Sequence, residues 1–143
     1  MANWFEVKVK YVKTLENGFN KKVSEWYLVD AESCTEAESV TIKELASSVG
    51  CLEVHDIRSA AYNEVFLFND EEKYYKVKLS FITLDEKTGA EKQTNSYTLV
   101  QADDLREAIT NLDKQMEDTI MDYRILSVQE TSIVNVIINI PQV

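Results

Sequence analysis

Hydrophobic and polar residues alternate with a period of two in two separate segments of the chain. The apolar positions are Phe5, Val7, Val9 and Tyr11 in the first segment and Tyr75, Val77, Leu79 and Phe81 in the second. The polar positions between them are Glu6, Lys8 and Lys10, and then Lys76, Lys78 and Ser80. Because successive side chains of a strand point to opposite faces of a sheet, each segment predicts a strand that is buried on one face.

A turn and a second strand follow each of these strands. Asn17-Gly18 and Thr88-Gly89 are turn sequences in which glycine supplies the positive φ angle. The second strands are predicted at residues 21–30 and 92–101. Each half of the chain therefore opens with a β-hairpin.

Each hairpin is followed by a predicted helix. Ser33 and Asp104 are N-cap residues, each with a glutamate three positions on, at Glu36 and Glu107. The second helix has the stronger apolar stripe, formed by Leu105, Ala108, Ile109, Leu112, Met116 and Ile120. The weaker stripe of the first helix is Cys34, Ala37, Thr41, Leu45 and Val49, and Gly50 is expected to end that helix. Strand-like sequence then covers residues 52–68 and 123–139, with expected breaks near residues 59–61 and 130–132.

The two halves of the chain repeat each other. Offsets of 70 and then 71 residues align Val7 with Val77 and Leu28 with Leu99, among many other pairs. We therefore predict an α+β protein made by tandem duplication of a strand-strand-helix-strand unit, with antiparallel sheets, one helix per unit and pseudo-twofold symmetry. The repeats are placed at residues 1–68 and 73–143 of one compact domain, joined by an acidic linker at 69–72. The alternative is two sheets that pack through a dimer partner, which makes the protein a homodimer.

Composition places the chain among acidic globular proteins. Its 143 residues are 45% hydrophobic, which is enough for a continuous core, and its net charge is −10. Charge alternates along the chain: segments 1–29 and 73–101 each carry five basic and three acidic groups, whereas the segments after them are strongly acidic. The net charge argues against sequence-independent binding to duplex nucleic acid. We see no apolar run long enough for a membrane helix and no leader, so we expect a cytoplasmic protein without a membrane partner.

Few residues combine into a catalytic or metal-binding pattern. Turns and a helix end account for all three glycines, so no phosphate-binding loop is predicted. His55 and its neighbour Asp56 point to opposite faces of a strand and make a poor catalytic dyad. Cys34 and Cys51 match no metal site and are expected to be buried or half-buried thiols. The carboxylates at residues 70–72 are interpreted as a solvated linker in preference to a cation site. We expect no catalytic residue, no metal and no cofactor, and hence a protein that is not an enzyme.

Basic and aromatic residues are interleaved on the outward faces of the two hairpins. The residues concerned are Trp4, Lys8 and Lys10 in the first hairpin and Tyr74, Lys76 and Lys78 in the second, with Lys13, Lys21, Lys22 and Lys92 nearby. Proteins that bind single strands use this combination, since ammonium groups contact phosphates and rings stack on bases. The first hypothesis is therefore a non-enzymatic protein that binds single-stranded nucleic acid. The competing interpretation is that these lysines only keep the strands soluble and prevent edge pairing.

The acidic helices give a second hypothesis from a different class. The residues of this acidic helical face are Glu32, Glu36, Glu38, Asp103, Asp104, Glu107 and Asp113. Such a face can dock on a basic protein partner or imitate nucleic acid, so the alternative is a protein-interaction or inhibitor module.

Several longer runs carry a resemblance to known sequences. They lie at residues 4–9, 13–18, 27–31 and 35–38 in the first half and at residues 81–89, 99–102 and 130–131 in the second half. These runs resemble an uncharacterised family, a domain of unknown function from Bacteroides-type bacteria and their phages. The resemblance extends over nearly the whole chain and implies a compact protein from a bacterium or its phage. It implies no activity and no site residue.

Overall fold

The computed structural model describes residues 3–49, 52–68, 72–119 and 121–138. These residues form eight strands and two helices, which confirms the α+β class. The strands are β1 (Trp4–Thr14), β2 (Asn20–Asp30), β3 (Leu52–Ala60), β4 (Glu64–Phe66), β5 (Lys73–Leu84), β6 (Glu91–Ala102), β7 (Asp122–Glu130) and β8 (Ile133–Ile137). The helices are α1 (Cys34–Val49) and α2 (Leu105–Gln115). The predicted breaks near residues 59–61 and 130–132 are the gaps between β3 and β4 and between β7 and β8.

Unit 1 consists of residues 1–60 and 132–143. Its sheet has the order β3-β1-β2-β8, in which β1 is antiparallel to β2 and β3, and β8 is parallel to β2. The predicted alternation is confirmed, since Phe5, Val7 and Val9 are buried whereas Glu6, Lys8 and Lys10 are half-buried on the other face. The core of the unit comprises Phe5, Val7, Val9, Tyr27, Val29, Ala31, Ala37 and Ile137. Helix α1 covers this face of the sheet.

Unit 2 consists of residues 61–131. Its sheet has the order β4-β6-β5-β7, with β5 antiparallel to β6 and β7 and with β4 parallel to β6. Helix α2 supplies Ala108 and Leu112 to the core. The main core cluster comprises Val77, Leu79, Val100 and Leu112.

The last strand of each sequence repeat belongs to the sheet of the other repeat. Strand β4 follows β3 in the chain but pairs with β6 in unit 2, and β8 follows β7 but pairs with β2 in unit 1. The compact units therefore have boundaries at residues 60–61 and 131–132, which are not the boundaries of the repeats. The duplication stays a prediction, supported by the shared strand order of the two sheets.

Both helices begin at the predicted caps. The Glu36 backbone N–H donates to Ser33 Oγ at 3.1 Å, and the Glu107 N–H donates to Asp104 Oδ1 at 2.8 Å. These bonds satisfy N–H groups that have no partner within the helix.

Three local predictions need correction or fall outside the described residues. Cys34 was expected to be buried or half-buried, but it is exposed because it is the first residue of α1, three residues before Ala37, where the helix first enters the core. The apolar stripe predicted for the second helix runs to Ile120, whereas α2 ends at Gln115. Gly50, Cys51 and residues 69–71 of the linker lie outside the described residues.

Neither helix in the described part of the chain combines the length and the apolar character that crossing a membrane requires.

Candidate nucleic-acid interface

The predicted basic residues of the first hairpin lie on the sheet face opposite α1. Lys8 and Lys10 alternate along β1 with buried valines, so their side chains share the outer face. Trp4 begins the same strand and is half-buried. The structure therefore places all three predicted residues of this hairpin on one face.

Trp26 lies at the centre of this outer face. It is directly opposite Lys8 in the β1–β2 register, and Lys8 Nζ is 5.7 Å from the centroid of its ring. The Arg58 guanidinium is closer, at 4.5 Å, and is also 3.9 Å from carboxylate oxygens of Glu6 and Asp56. Cations over an aromatic face are attracted by the ring quadrupole. The Trp26 ring therefore orients two cations.

The second hairpin repeats this arrangement with tyrosines. Lys76 Nζ is 4.7 Å from the ring centroid of Tyr97 and 5.9 Å from that of Tyr62. Lys78 is half-buried on the same strand, directly opposite Tyr97. Tyr74 was predicted to offer a ring for base stacking, but it is only 5% exposed. A ring this buried presents no open face to a base, so the structure does not place Tyr74 among the exposed groups of the hairpin.

The end of the first hairpin extends beyond its sheet as a two-stranded ribbon. Strand β3 pairs with β1 only as far as Tyr11, after which β1 pairs with β2 alone from Val12 to the turn. Residues 12–22, which we call the first arm, are all exposed. The turn is closed by hydrogen bonds from the Leu15 N–H to the Phe19 carbonyl at 2.8 Å and from the Gly18 N–H to the Leu15 carbonyl at 2.9 Å, with Gly18 at φ +85°. The first arm is therefore an ordered ribbon with all its side chains open to a ligand.

The first arm is basic, whereas the matching ribbon of unit 2 is not. The first arm contains three lysines, Lys13, Lys21 and Lys22, and one acidic residue, Glu16. Residues 83–92, which we call the second arm, extend beyond β7 in the same way but contain two lysines and three acidic residues. The two arms have similar geometry and net charges of opposite sign.

The two faces of the first arm carry different side chains. Lys13 is directly opposite Lys21 on one face, and Phe19 lies in the turn, two positions before Lys21. Phe19 is 69% exposed. On the other face Lys22 lies opposite Val12, and a groove of about 370 Å³ runs along the base of the arm between residues that include Lys10, Lys22 and Glu53. Exposed aromatic and basic groups are thus concentrated on one ribbon.

Two tyrosines and a glutamate secure the base of the first arm. Glu25 accepts hydrogen bonds from the hydroxyls of Tyr11, in the neighbouring strand, and Tyr27, at 2.8 Å in its own strand. The hydrogen bond to Glu25, together with burial, raises the pKa of Tyr11 to about 12. Burial, followed by the bond to Glu25, raises the pKa of Tyr27. Both phenols therefore stay protonated and keep their bonds at neutral pH.

Most residues of the predicted acidic helical face have a local structural role. Asp104 caps α2, Asp103 accepts from the Glu72 N–H at 2.9 Å, and Asp113 accepts from the Tyr123 hydroxyl at 2.9 Å. The Glu36 carboxylate accepts from the Glu32 N–H at 3.2 Å, one residue before the Ser33 cap, so it holds the segment that enters α1. Glu32 and Glu38 are exposed, and Glu107 is half-buried. The seven residues are divided between the two units.

The residues weighed as chemical groups are not brought together. His55 and Asp56 are both exposed, at the irregularity where the β1–β3 register shifts. In the described parts of the chain, no three His, Cys, Asp or Glu side chains converge in a way that could hold a metal ion.

Sequence reasoning missed Trp26, Arg58 and Phe19. The 71-residue offset aligns Trp26 with Tyr97, and an aromatic residue at the same place in both repeats was a signal that these rings share a role. Arg58 gave no such signal, because its contact with Trp26 requires the pairing of β3 with β1. Phe19 follows the glycine of the turn and has Ala90 at the matching position, so the repeat pattern directs attention away from it.

Comparison with known proteins identifies one family. Residues 3–139 match the family model described as Domain of unknown function (DUF4494). No curated protein sequence matches the chain. The resemblance to a domain of unknown function is confirmed, while the bacterial or phage origin stays a prediction.

Proposed function

The chain belongs to the DUF4494 family, whose description gives no function, and we propose that it is a non-enzymatic protein that binds single-stranded nucleic acid through the hairpin of unit 1. The observation that carries the proposal is the first arm, an exposed ribbon with three lysines and an exposed ring in a chain of net charge −10. Lys10 and Lys8 continue from Lys22 along the outer face of the sheet, whereas Lys13 and Lys21 lie on the other face of the arm. A positively charged path with an aromatic group is the usual chemistry of single-strand binding.

Burial and ring contacts change which residues of the hairpins are proposed to contact the nucleic acid. The ring of Trp26 already holds Lys8 and Arg58, and that of Tyr97 holds Lys76, so these rings orient cations before they could receive a base. Phe19 is the aromatic residue of the two hairpins with the largest exposed fraction, at 69%. The proposed contact is therefore centred on the first arm, and the lysines of the sheet face extend it.

The acidic remainder of the protein limits where a nucleic acid can approach. Phosphates are repelled by the second arm, which has more acidic than basic groups, and attracted by the first. Affinity is accordingly expected to be modest and strongly dependent on salt. If Lys10, Lys13, Lys21 and Lys22 each neutralise one phosphate, binding to a single strand should weaken about 50-fold between about 50 and 200 mM salt.

The test is fluorescence anisotropy of labelled single-stranded DNA and RNA with two charge-reversal variants. Lys21→Glu with Lys22→Glu changes the first arm, and Lys87→Glu with Lys92→Glu makes the same change in net charge on the second arm. We expect the first variant to lose binding and the second to retain most of it. Equal weakening by both variants would show a general charge effect without a site on the first arm.

Absence of binding by the wild-type protein at about 50 mM salt would refute the proposal. The acidic helical face, and a basic protein partner for it, would then become the working hypothesis. The cytoplasmic location and the bacterial or phage host are parts of the same proposal that come from the sequence alone.

A further inference from the structure

We propose that the tip of the first arm is a subsite for one unpaired nucleotide, in which Phe19 stacks on the base while Lys13 and Lys21 hold a phosphate next to it. The inference rests on the proposed function and adds to it a residue that distinguishes single strands from duplexes. Phe19 lies outside the face on which sequence reasoning placed the binding residues.

Phe19 has the exposure and the support that a stacking group needs. Its side chain is 69% exposed. Its backbone is held by two bonds: the carbonyl accepts from the Leu15 N–H at 2.8 Å, and the N–H donates to Asn17 Oδ1 at 3.1 Å. In contrast to Trp26, no cation lies against the ring of Phe19 in the part of the chain that the structure describes. The backbone of Phe19 is therefore held in place, and its ring is open to solvent.

Lys13 and Lys21 form a cation pair close to Phe19 in the chain. They are directly opposite each other in the β1–β2 ladder, and Phe19 lies in the turn, two residues before Lys21. Like charges directly opposite in an antiparallel pair are destabilising. None of the ion pairs found among the described residues involves either lysine. A phosphate between the two ammonium groups would relieve this repulsion, so the pair favours an anion with more than one acceptor oxygen.

The combination selects an unpaired base. A base in a duplex is stacked on both faces by its neighbours, whereas a single strand can turn a base outward onto an aromatic side chain. The second arm lacks this combination, because Ala90 takes the place of Phe19 and three acidic residues surround it. The subsite is therefore a property of unit 1.

The experiment compares Phe19 with Leu84, which is also 69% exposed and lies on the second arm. We expect Phe19→Ala to weaken binding of a labelled oligothymidine about tenfold, the lower range for loss of one stacked base. Phe19→Tyr should retain the wild-type affinity, and Leu84→Ala should leave it unchanged. Binding of Phe19→Trp should quench the added indole fluorescence, measured against the wild-type background of Trp4 and Trp26, and Leu84→Trp should show no such quenching.

The outcomes separate this inference from the proposed function. If the wild-type protein binds the oligothymidine and Phe19→Ala binds it equally well, the subsite is refuted and the proposed function stands. An equal loss of affinity of Phe19→Ala for single-stranded and duplex DNA would refute the selection of an unpaired base. If the wild-type protein binds neither, the proposed function itself fails, and the subsite fails with it.

Discussion

Glu25 is the residue that ties the two strands of the first hairpin together at the base of the arm. Its carboxylate accepts from Tyr11 on β1 and from Tyr27 on β2, and the matching position in unit 2 is Ser96. The second hairpin therefore has no equivalent bridge. A bridge of this kind orders the arm before a ligand arrives, which reduces the entropy that binding must overcome.

The raised pKa of Tyr11 gives a test of this bridge. The ordinary pKa of tyrosine is 10.0, and that of Tyr11 is about 12. Because the folded state favours the protonated phenol, the contribution of this bond to stability is complete below about pH 10 and is lost as pH rises through about 12. We expect the phenolate absorbance of Tyr11, measured as the difference between the wild-type protein and Tyr11→Phe, to rise around pH 12 and not around pH 10. Glu25→Gln should lower the pKa of Tyr11 towards its ordinary value, whereas Asp113→Asn, which removes the negative charge of the group that accepts from Tyr123, should leave it unchanged. Titration of Tyr11 near its ordinary pKa in the wild-type protein would contradict the bridge.

At the residue scale, the alternation of side chains could be predicted and their exposure could not. A period of two placed Lys8 and Lys10 on one face, because that follows from strand geometry alone. The burial of Tyr74 and the exposure of Phe19 depend on what other elements cover, and this information is not local. The proposed contact is therefore centred on the first arm, whereas the sequence pattern indicated the sheet face.

At the scale of elements, helix starts were predicted correctly and one helix end was not. Ser33 and Asp104 cap the helices because a short side chain can reach the unpaired N–H groups of the first turn. The apolar stripe of α2 continues past Met116, but the next two residues are Glu117 and Asp118. Negative charge is unfavourable at a helix C-terminus. The Met116 N–H bonds to both Leu112 and Asp113, which ends the helix there.

The cap of α2 can be tested by substitution. Asp104→Ala removes the acceptor of the Glu107 N–H, and we expect it to lower the free energy of unfolding by about 1 kcal/mol. Asp104→Asn should retain most of the stability, because an amide oxygen accepts the same bond. Urea unfolding followed by circular dichroism measures both differences. A loss of equal size in the two variants would mean that the charge of Asp104, and not its capping bond, stabilises the helix.

At the scale of the whole molecule, the number and order of the elements could be predicted, but the exchange of the last strands could not. The predicted strand-like stretches at residues 52–68 and 123–139 are each broken where expected, yet the two parts of each stretch belong to different sheets. No local feature of β4 or β8 specifies which sheet the strand joins. In each sheet the second strand of the hairpin, β2 or β6, has an edge that can pair with a parallel strand. The choice depends on the path of the connections at residues 61–63 and 131–132, which a repeat comparison does not reveal.

The strand exchange predicts that damage to the end of the chain will destabilise its beginning. Ile137 on β8 is 7% exposed and packs in the core of unit 1, so Ile137→Ala should lower the stability of that unit by about 3 kcal/mol. Amide hydrogen exchange should then accelerate in β1 and β2, while β5 and β6 stay protected. Phe66 on β4 packs against the core of unit 2, so Phe66→Ala should produce the reverse pattern. If β8 instead paired within its own repeat, Ile137→Ala would accelerate exchange in β5 and β6. The contrast between the two variants therefore tests whether the last strand of each repeat belongs to the sheet of the other unit.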